Sequence, residues 1–419
     1  MNQYHVICIR SPLFKQAGAI TLLTSVVILM LATVLIIAVS RTTIMEQRIS
    51  SNEIRSRQAH EAAEAGLNFG IAYVTQTTQG GATVPSGTDK DKNSVADTIA
   101  LTTITAGTSN KYSVAFCSPT ANLSAISCPD SPGAVSCSAP SITYLRAPRI
   151  VACGWSDDGM GRSMVSQSVI TVPALSNPPT NPVTAKGAIN VGGSASVTNY
   201  YNNLTVWSGG SLSNIGNSGK TFVRNPTVSP PAASVPPPDR PTTCGSTADY
   251  VCATDKNTTG PDVIDSDPTL SNTTTAQLFY NYFGVADVAA YQAGIASMPA
   301  VAPGNVSTLD GIKQEAFVVS GSITSNMNFT IGSRDQPVVM IINGDWSGAG
   351  NTTIYGVVYV RGNIDLSGNK TIYGGVVVEG SVSGTGSLDV IFDQLIMDNL
   401  AAGNVGKSAL VSGSWRDWK

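Results

Sequence analysis

QAGAITLLTSVVILMLATVLIIAVS, residues 16–40, runs between Lys15 and Arg41 without a charged side chain. A helix rises about 1.5 Å per residue, so the stretch reaches roughly 38 Å, and a hydrocarbon core is about 30 Å thick. It predicts a membrane span. No proline closes the pattern, which continues through RTTIMEQRISSNEIRSRQAHEAAEAGLNFGIAYV at 41–74. Glu53 and Arg57, Arg57 and Glu61, and His60 and Glu64 stand four apart, the spacing at which helical side chains of opposite charge meet. One helix over residues 19–76 is therefore expected to pass from lipid into water. A cleaved secretory signal has an apolar core of only about 7 to 15 residues.

Ahead of the span lies a short leader with Arg10 and Lys15, ending in Ala17 and Gly18. That leader, the apolar helix, R-T-T-x-x-E-x-R-I at 41–49 and R-Q-A-x-E-A-A-E-A-G-L at 57–67 resemble the amino-terminal region of PilX-type minor pilins of type IV pili. The second motif is the more specific, because few Ala-rich helices carry this order next to a membrane span. The resemblance implies that a prepilin peptidase removes residues 1–18 by cutting between Gly18 and Ala19. It implies as partners the inner membrane, other minor and major pilins and a tip adhesin. It places the chain in a bacterial inner membrane as a single-pass, N-in protein, and in the extracellular pilus after assembly; the positive residues before the span give the same orientation. The family commonly has Phe first and Glu fifth in the mature chain, where this sequence has Ala19 and Leu23. That Glu is thought to pair with a neighbour's amino terminus, so its absence favours a tip position over shaft packing.

The chain's 419 residues predict two or three folded units. Charged residues make up 12% and glycines number 40, a mix that suits β-structure with tight turns. A net charge of -3 leaves no basic footprint for nucleic acid. Ala59, Ala62, Ala63, Ala65 and Gly66 form a small-residue surface that either meets neighbouring subunits or lies against the protein's own sheet. Apolar residues beyond Ile49 do not repeat as heptads, which argues against a coiled coil.

Residues 77–173 read as a pilin-like antiparallel β domain: a Thr/Gly/Ser-rich loop to 111, then YSVAFC (112–117), PRIVACGW (148–155) and SMVSQSVITV (163–172), with Asp158-Gly159 at the centre of the last turn. Three units then align near the other end: VVMIINGDWSGAGNTTIYG (338–356), VVYVRGNIDLSGNKTIYG (357–374) and GVVVEGSVSGTGSLDVIFD (375–393), with FVVSGSITSNMNFTIG (317–332) a degenerate copy. A period of 18 to 19 residues, with T-I-Y-G recurring in phase at 353–356 and 371–374, predicts a β-solenoid. The fold class expected is α+β: a long membrane-spanning pilin-type helix on a small antiparallel sheet, followed by a Gly-rich, β-helix-like solenoid. Its parts are a first solenoid stretch (174–227), a Pro-rich linker with short helices (228–315), the solenoid repeats (316–400) and a tail (401–419). In the linker, Leu278, Tyr282, Val285, Val288 and Ala289 have helical spacing. The large carboxy-terminal part and the closing GSWRDW are similar to the extensions of some proteins of the same group; Trp415 and Trp418 there read as an interaction anchor or as part of a strand pinned to the body.

Removal of the leader takes Cys8 and leaves six cysteines in a region that the helix places outside the cytoplasm, so three disulfides are expected. Short separations favour Cys128–Cys137 and Cys244–Cys252, leaving Cys117–Cys153. No two cysteines have zinc-type spacing. Asp255, Asp262, Asp265 and Asp267 are candidate calcium ligands, although position 12 counted from Asp255 is Ser266 and the twelve-residue loop pattern fails. One His, His60, remains after processing, and the acids of the repeats, Asp345, Asp365, Glu379, Asp389 and Asp393, are scattered over different phases. The sequence therefore predicts no enzyme and no cofactor. The function expected is a minor pilin or pilus assembly protein at or near a pilus tip. The alternatives are a membrane-tethered adhesin with a solenoid binding domain, separable by leader processing, and a type II secretion minor pseudopilin, separable by genetic context.

Overall fold

The computed structural model describes residues 17–75, 102–103, 111–137, 148–191, 193–215, 220–238, 244, 247–255, 258–324, 326, 328–403 and 405–418. Residues 1–16 of the leader expected at 1–18, and most of the loop at 77–111, lie outside the described residues. Helix α1, Ala17–Thr75, is 59 residues long and so on the order of 88 Å. Burial begins only in its last third, where Ala59, Ala62, Ala63, Gly66, Leu67, Gly70 and Tyr73 recur three or four apart on one face.

That face lies on an antiparallel sheet. Strands β1 (Thr102–Thr103), β2 (Lys111–Cys117), β3 (Arg149–Trp155) and β4 (Arg162–Pro173) follow one another in space as in sequence. Alternation along the strands divides the side chains: Val114, Phe116, Ile150 and Ala152 meet the helix, while Ala115, Cys117, Val151, Cys153 and Trp155 face away from it. Small residues on both sides let backbones approach. A Cβ at Gly154 would lie 2.2 Å from the backbone nitrogen of Ala63 and 2.3 Å from the carbonyl oxygen of Ala59.

Beyond β4 the chain lays down β5 (Val183–Ala185), β6 (Ile189–Val191) and β7 (Ser196–Asn199), then β8 (Val206–Ser208), β9 (Leu212–Ile215) and β10 (Lys220–Arg224). It next adds β11 (Tyr250–Thr254) antiparallel to β10, then β12 (Val263–Ile264), α2 (Pro268–Asn272), α3 (Thr275–Phe283), α4 (Val288–Gly294) and a 3-10 helix at Pro303–Leu309. Strands then resume with β13 (Ala316–Val319), β14 (Phe329–Ile331), β15 (Val338–Ile342), β16 (Trp346–Gly348) and β17 (Thr352–Val360). They continue with β18 (Ile364–Leu366), β19 (Asn369–Val378), β20 (Val382–Gly384) and β21 (Ser387–Ile391), followed by α5 (Gln394–Ala401), β22 (Gly406–Leu410) and β23 (Arg416–Trp418).

Parallel pairing arranges these strands in three ladders. One runs β13, β15, β17, β19, β5, β8, β12; a second runs β16, β18, β20, β6, β9; a third runs β14, β17, β19, β21, β7, β10, with β17 and β19 long enough to serve two ladders. The spatial order of chain segments is thus 316–331, 338–354, 356–373, 375–391, 183–199, 206–223. The earlier stretch docks on the end of the later one. Thr353 pairs with Thr371, Ile354 with Ile372, Tyr355 with Tyr373 and Gly356 with Gly374, the phase relation expected of the 18-residue repeat. Gly374 needs no side chain for two reasons: its φ is +136°, and a Cβ would come within 2.0 Å of the Gly356 carbonyl oxygen.

Inward residues such as Ile354, Ile372, Val358, Val376 and Val390 fill the interior, and Val306 and Leu309 of the 3-10 helix close on it. Helices α3 and α4 cover one outer face, where the rings of Phe279 and Phe283 lie 5.3 and 5.1 Å from that of Tyr359. Of the residues expected to pack there, Leu278 and Val288 are buried and Ala289 is exposed; Phe279, Phe283 and Tyr291 form the rest of the seat. The chain therefore combines a long apolar helix with a sheet-rich remainder. Residues 401–419 do not stand apart as a tail. Strand β22 pairs with β4 along Val169–Pro173 and β23 along Met164–Ser166, so the end of the chain forms the outer edge of the first sheet.

Candidate functional site

The surface that sets this chain apart is the bare part of α1. From Ile20 to Ile49 its large apolar side chains are between 48% and 69% exposed, and none of the described residues covers them. An apolar surface of this length needs lipid or other helices around it. The helix is long and apolar enough to cross a membrane. Gly18 and Ala19 lie within the backbone of its first turn.

Where the bare part ends, the β3–β4 turn grips the helix. The Arg55 guanidinium lies 2.5 Å from the Asp158 carboxylate, and Gln58 donates to Asp157 at 3.4 Å. Asp158 also accepts from the Ser156 hydroxyl at 2.7 Å and from the Met160 N–H at 3.0 Å. These bonds, the Ser156 hydroxyl first, hold its carboxyl below the ordinary carboxylate range. The helix is further laced by Arg57 and Glu53 at 2.5 Å and by His60 and Glu64 at 3.3 Å.

The small-residue surface is spent inside the molecule. Ala59, Ala62 and Ala63 are fully buried, with Gly66 also buried, against the chain's own sheet, and so do not face a neighbour. The alternation of the strands that cover them was legible; which partner used the alanines was not.

Two of the expected disulfides are corrected. Cys153 stands opposite Ser113 and Cys117 opposite Arg149, so the two sulfurs sit on one face four residues out of register, about 13 Å apart. A disulfide needs Cα atoms within about 7 Å. Residues 118–137 instead fold across that face and deliver one cysteine to each position. Cys117 bonds Cys137 and Cys128 bonds Cys153, with Cα separations of 5.6 and 5.7 Å, in place of Cys117–Cys153 and Cys128–Cys137. The Trp155 indole donates to the Pro129 carbonyl at 3.1 Å beneath the same segment. Cys244 is bonded to Cys252.

The four candidate calcium ligands are not brought together. Asp262 is buried and accepts from the hydroxyls of Thr205 and Thr254. Asp267 caps α2 through the Thr269 N–H and accepts from the Trp207 indole, each at 2.7 Å, and its carboxyl is held below the usual range chiefly by the indole. Asp255 accepts from the Thr258 N–H, and Asp265 is exposed. Among the described residues no three of His, Cys, Asp and Glu are grouped to hold a metal ion.

Comparison with known proteins adds the following. No curated protein matches the chain. Among solved structures, the competence-associated pilin ComZ from Thermus thermophilus is similar over 87% of this chain and 97% of that one, at 10% identity and a TM-score of 0.22. The family comparison matches PilX N-terminal at residues 17–68. That span takes in the bare apolar helix and the start of the alanine seat, so the likeness to PilX N-terminal is a likeness of residues 17–68.

Proposed function

We propose that this protein is a minor pilin or pilus assembly protein of a type IV pilus, incorporated at or near the tip. The observation that carries the reading is the division of α1: an apolar half that the described residues leave uncovered, continuous with a half seated on a small sheet, within a segment that matches PilX N-terminal. Before assembly the uncovered half would lie in the inner membrane with its amino end inside, and a prepilin peptidase would cut between Gly18 and Ala19. In the filament the same surface would meet the helices of other pilins.

The larger β part is, in this reading, a β-solenoid. Its support is the 18-residue period and the parallel, in-register pairing across three ladders. Inserted between β4 and β22, it makes a head too bulky for every position of a shaft, which favours the tip, where it would help to start assembly and present a surface for binding or for holding an adhesin.

The experiment is the amino-terminal sequence and mass of the protein recovered from membranes and from sheared surface filaments, with and without the prepilin peptidase. A mature chain that starts at Ala19 and is present in filaments is expected. An intact leader on a protein confined to membranes would overturn the reading in favour of a tethered adhesin.

A further inference from the structure

The outward positions of β17 and β19 in the third ladder form a regular grid. Thr353 pairs with Thr371 and Tyr355 with Tyr373, so alternation along the strands sets Asn351, Thr353 and Tyr355 beside Asn369, Thr371 and Tyr373. The two asparagines are exposed, and the threonines and tyrosines are half-buried. None of the six is charged, and the side chains of Asn351, Thr353, Asn369 and Thr371 make no hydrogen bond among the described residues. The tyrosine rings stack with centroids 4.7 Å apart and planes within 7°, so the stack runs along the ladder. Beyond Tyr373 the column reaches Ile391, which is buried and closes that end. Beyond Tyr355 it reaches Gly332, because Ile331 pairs with Ile354. Gly332 has a φ of +74° and no side chain, so the column puts no third ring on the outer face of Tyr355. Thr330, exposed, stands beside that open place.

We propose that this face binds a neutral saccharide, one pyranose ring of which takes the open place beside Tyr355 and continues the tyrosine stack. The proposal rests on the reading above that the larger β part presents a surface for binding, and it names where that surface lies and what it takes. A pyranose ring has an apolar C–H face and a rim of hydroxyls, each of them both donor and acceptor. The negative face of the Tyr355 ring attracts the C–H face, while the threonine hydroxyls and asparagine amides beside it supply donors and acceptors that the protein itself leaves unused. Charge complementarity selects for a neutral ligand: the grid carries no group to pair with an ion, whose lost hydration would go uncompensated. An apolar peptide fits as poorly, since it would bury the amides and hydroxyls without partners. Because the grid repeats from strand to strand, a sugar chain laid along the ladder meets the same groups at successive units.

The test is calorimetric titration of the full-length protein in detergent with neutral oligosaccharides of glucose, N-acetylglucosamine, galactose and mannose, and with hyaluronan and alginate oligosaccharides as anionic comparators. Binding of at least one neutral oligosaccharide is expected. Tyr355→Ala should weaken it about tenfold, and Tyr355→Phe, which keeps the ring, should bind as the unaltered protein does. Thr353→Val with Thr371→Val, which removes two hydroxyls and little shape, should also weaken it about tenfold. Asp365→Asn, exposed on β18 in a different ladder, should leave it unchanged. Amide exchange across β17 and β19 confirms that each variant is folded, and the threonine variant carries the test if Tyr355→Ala is not. No binding of any neutral oligosaccharide, binding of the anionic ones alone, or undiminished binding by the folded variants overturns the proposal. Because the titrations need no filament, and processing at Ala19 and recovery in filaments are scored separately, that result would leave the assembly reading standing.

Discussion

Replacing Gly154 by Ala tests the helix seat where it is tightest. An added methyl would meet the Ala63 nitrogen at 2.2 Å, the Ala59 oxygen at 2.3 Å and the Ala62 carbonyl carbon at 2.7 Å. All three are helix backbone and cannot turn aside as a side chain would. Restoring ordinary contact of about 3.4 Å means moving β3 and the helix apart by roughly 1 Å, and a gap of that size forfeits a quarter to a half of the dispersion attraction across it. Ala59, Ala62, Ala63 and Leu67, all buried at this seat, would lose contact together. Overpacking of this kind costs about 3 kcal/mol. Amide hydrogen exchange in detergent-solubilised full-length protein reads the effect locally: about 3 kcal/mol is a little over a hundredfold faster opening of residues 149–155. Gly294→Ala serves as the contrast, since it lies at the exposed end of α4 with nothing within 4 Å, and should stabilise by about 0.5 to 1 kcal/mol. Unchanged exchange in β3 of Gly154→Ala would refute the close seating of the helix.

Mass spectrometry of proteolytic peptides under non-reducing conditions should recover Cys117 with Cys137 and Cys128 with Cys153, and Cys137→Ser should cost about 3 kcal/mol by freeing a loop that the disulfide closes over 20 residues. Arg334→Ala should release the Pro-rich segment to limited proteolysis and destabilise by roughly 3 to 5 kcal/mol, because the guanidinium holds the carbonyls of Ala233, Ser234 and Val235 and, at 2.6 Å, the buried carboxylate of Asp393, which would be left unpaired. Glu379 is buried beside the Tyr359 hydroxyl and Arg361, and burial raises its carboxyl above 4.5, so the folded state keeps the proton to higher pH than the unfolded chain does. Its contribution is present below about 4.5 and fades as pH rises through the folded value; denaturant titrations of Glu379→Gln should lack that fall.

The periodic parts of this chain could be read residue by residue, and the parts set by long-range geometry could not. An uncharged run of 25 residues matches the long apolar helix, and T-I-Y-G recurring 18 residues apart matches the pairing of Thr353 with Thr371 and Tyr355 with Tyr373. The cysteines fail on register. Separation along the chain says that Cys128 and Cys137 are close, but the face of β2 and β3 holds Cys117 and Cys153 too far apart to bond, and the segment between the strands must reach both. The aspartates fail because carboxylates also serve as local acceptors: Asp267 reads as a helix cap once a helix is known to start at Pro268. Phe279, Phe283 and Tyr291 escape the sequence pattern because helical spacing picks out a stripe, while the seat they fill is set by Tyr359 on a strand laid down about 70 residues later.

The least legible feature is the place of the larger β part within the smaller sheet. Pro173, where β4 ends, pairs directly with Gly406, where β22 begins, so the chain leaves the first sheet and returns to it at the same point. The 232 residues between them are an insertion between two neighbouring antiparallel strands and not an extension hung from one end. A load applied to the insertion therefore enters β4 and β22 side by side, and these two strands are bonded to each other over five residue pairs. Strand β23 then folds back on Met164–Ser166 of β4, and Gln167 donates to the Val411 carbonyl and the Ser414 hydroxyl at 2.9 Å each to fix the bend between the two return strands. The closing GSWRDW is thus the last strand of the helix-bearing sheet, and the bulk of the chain must be complete before that sheet can be.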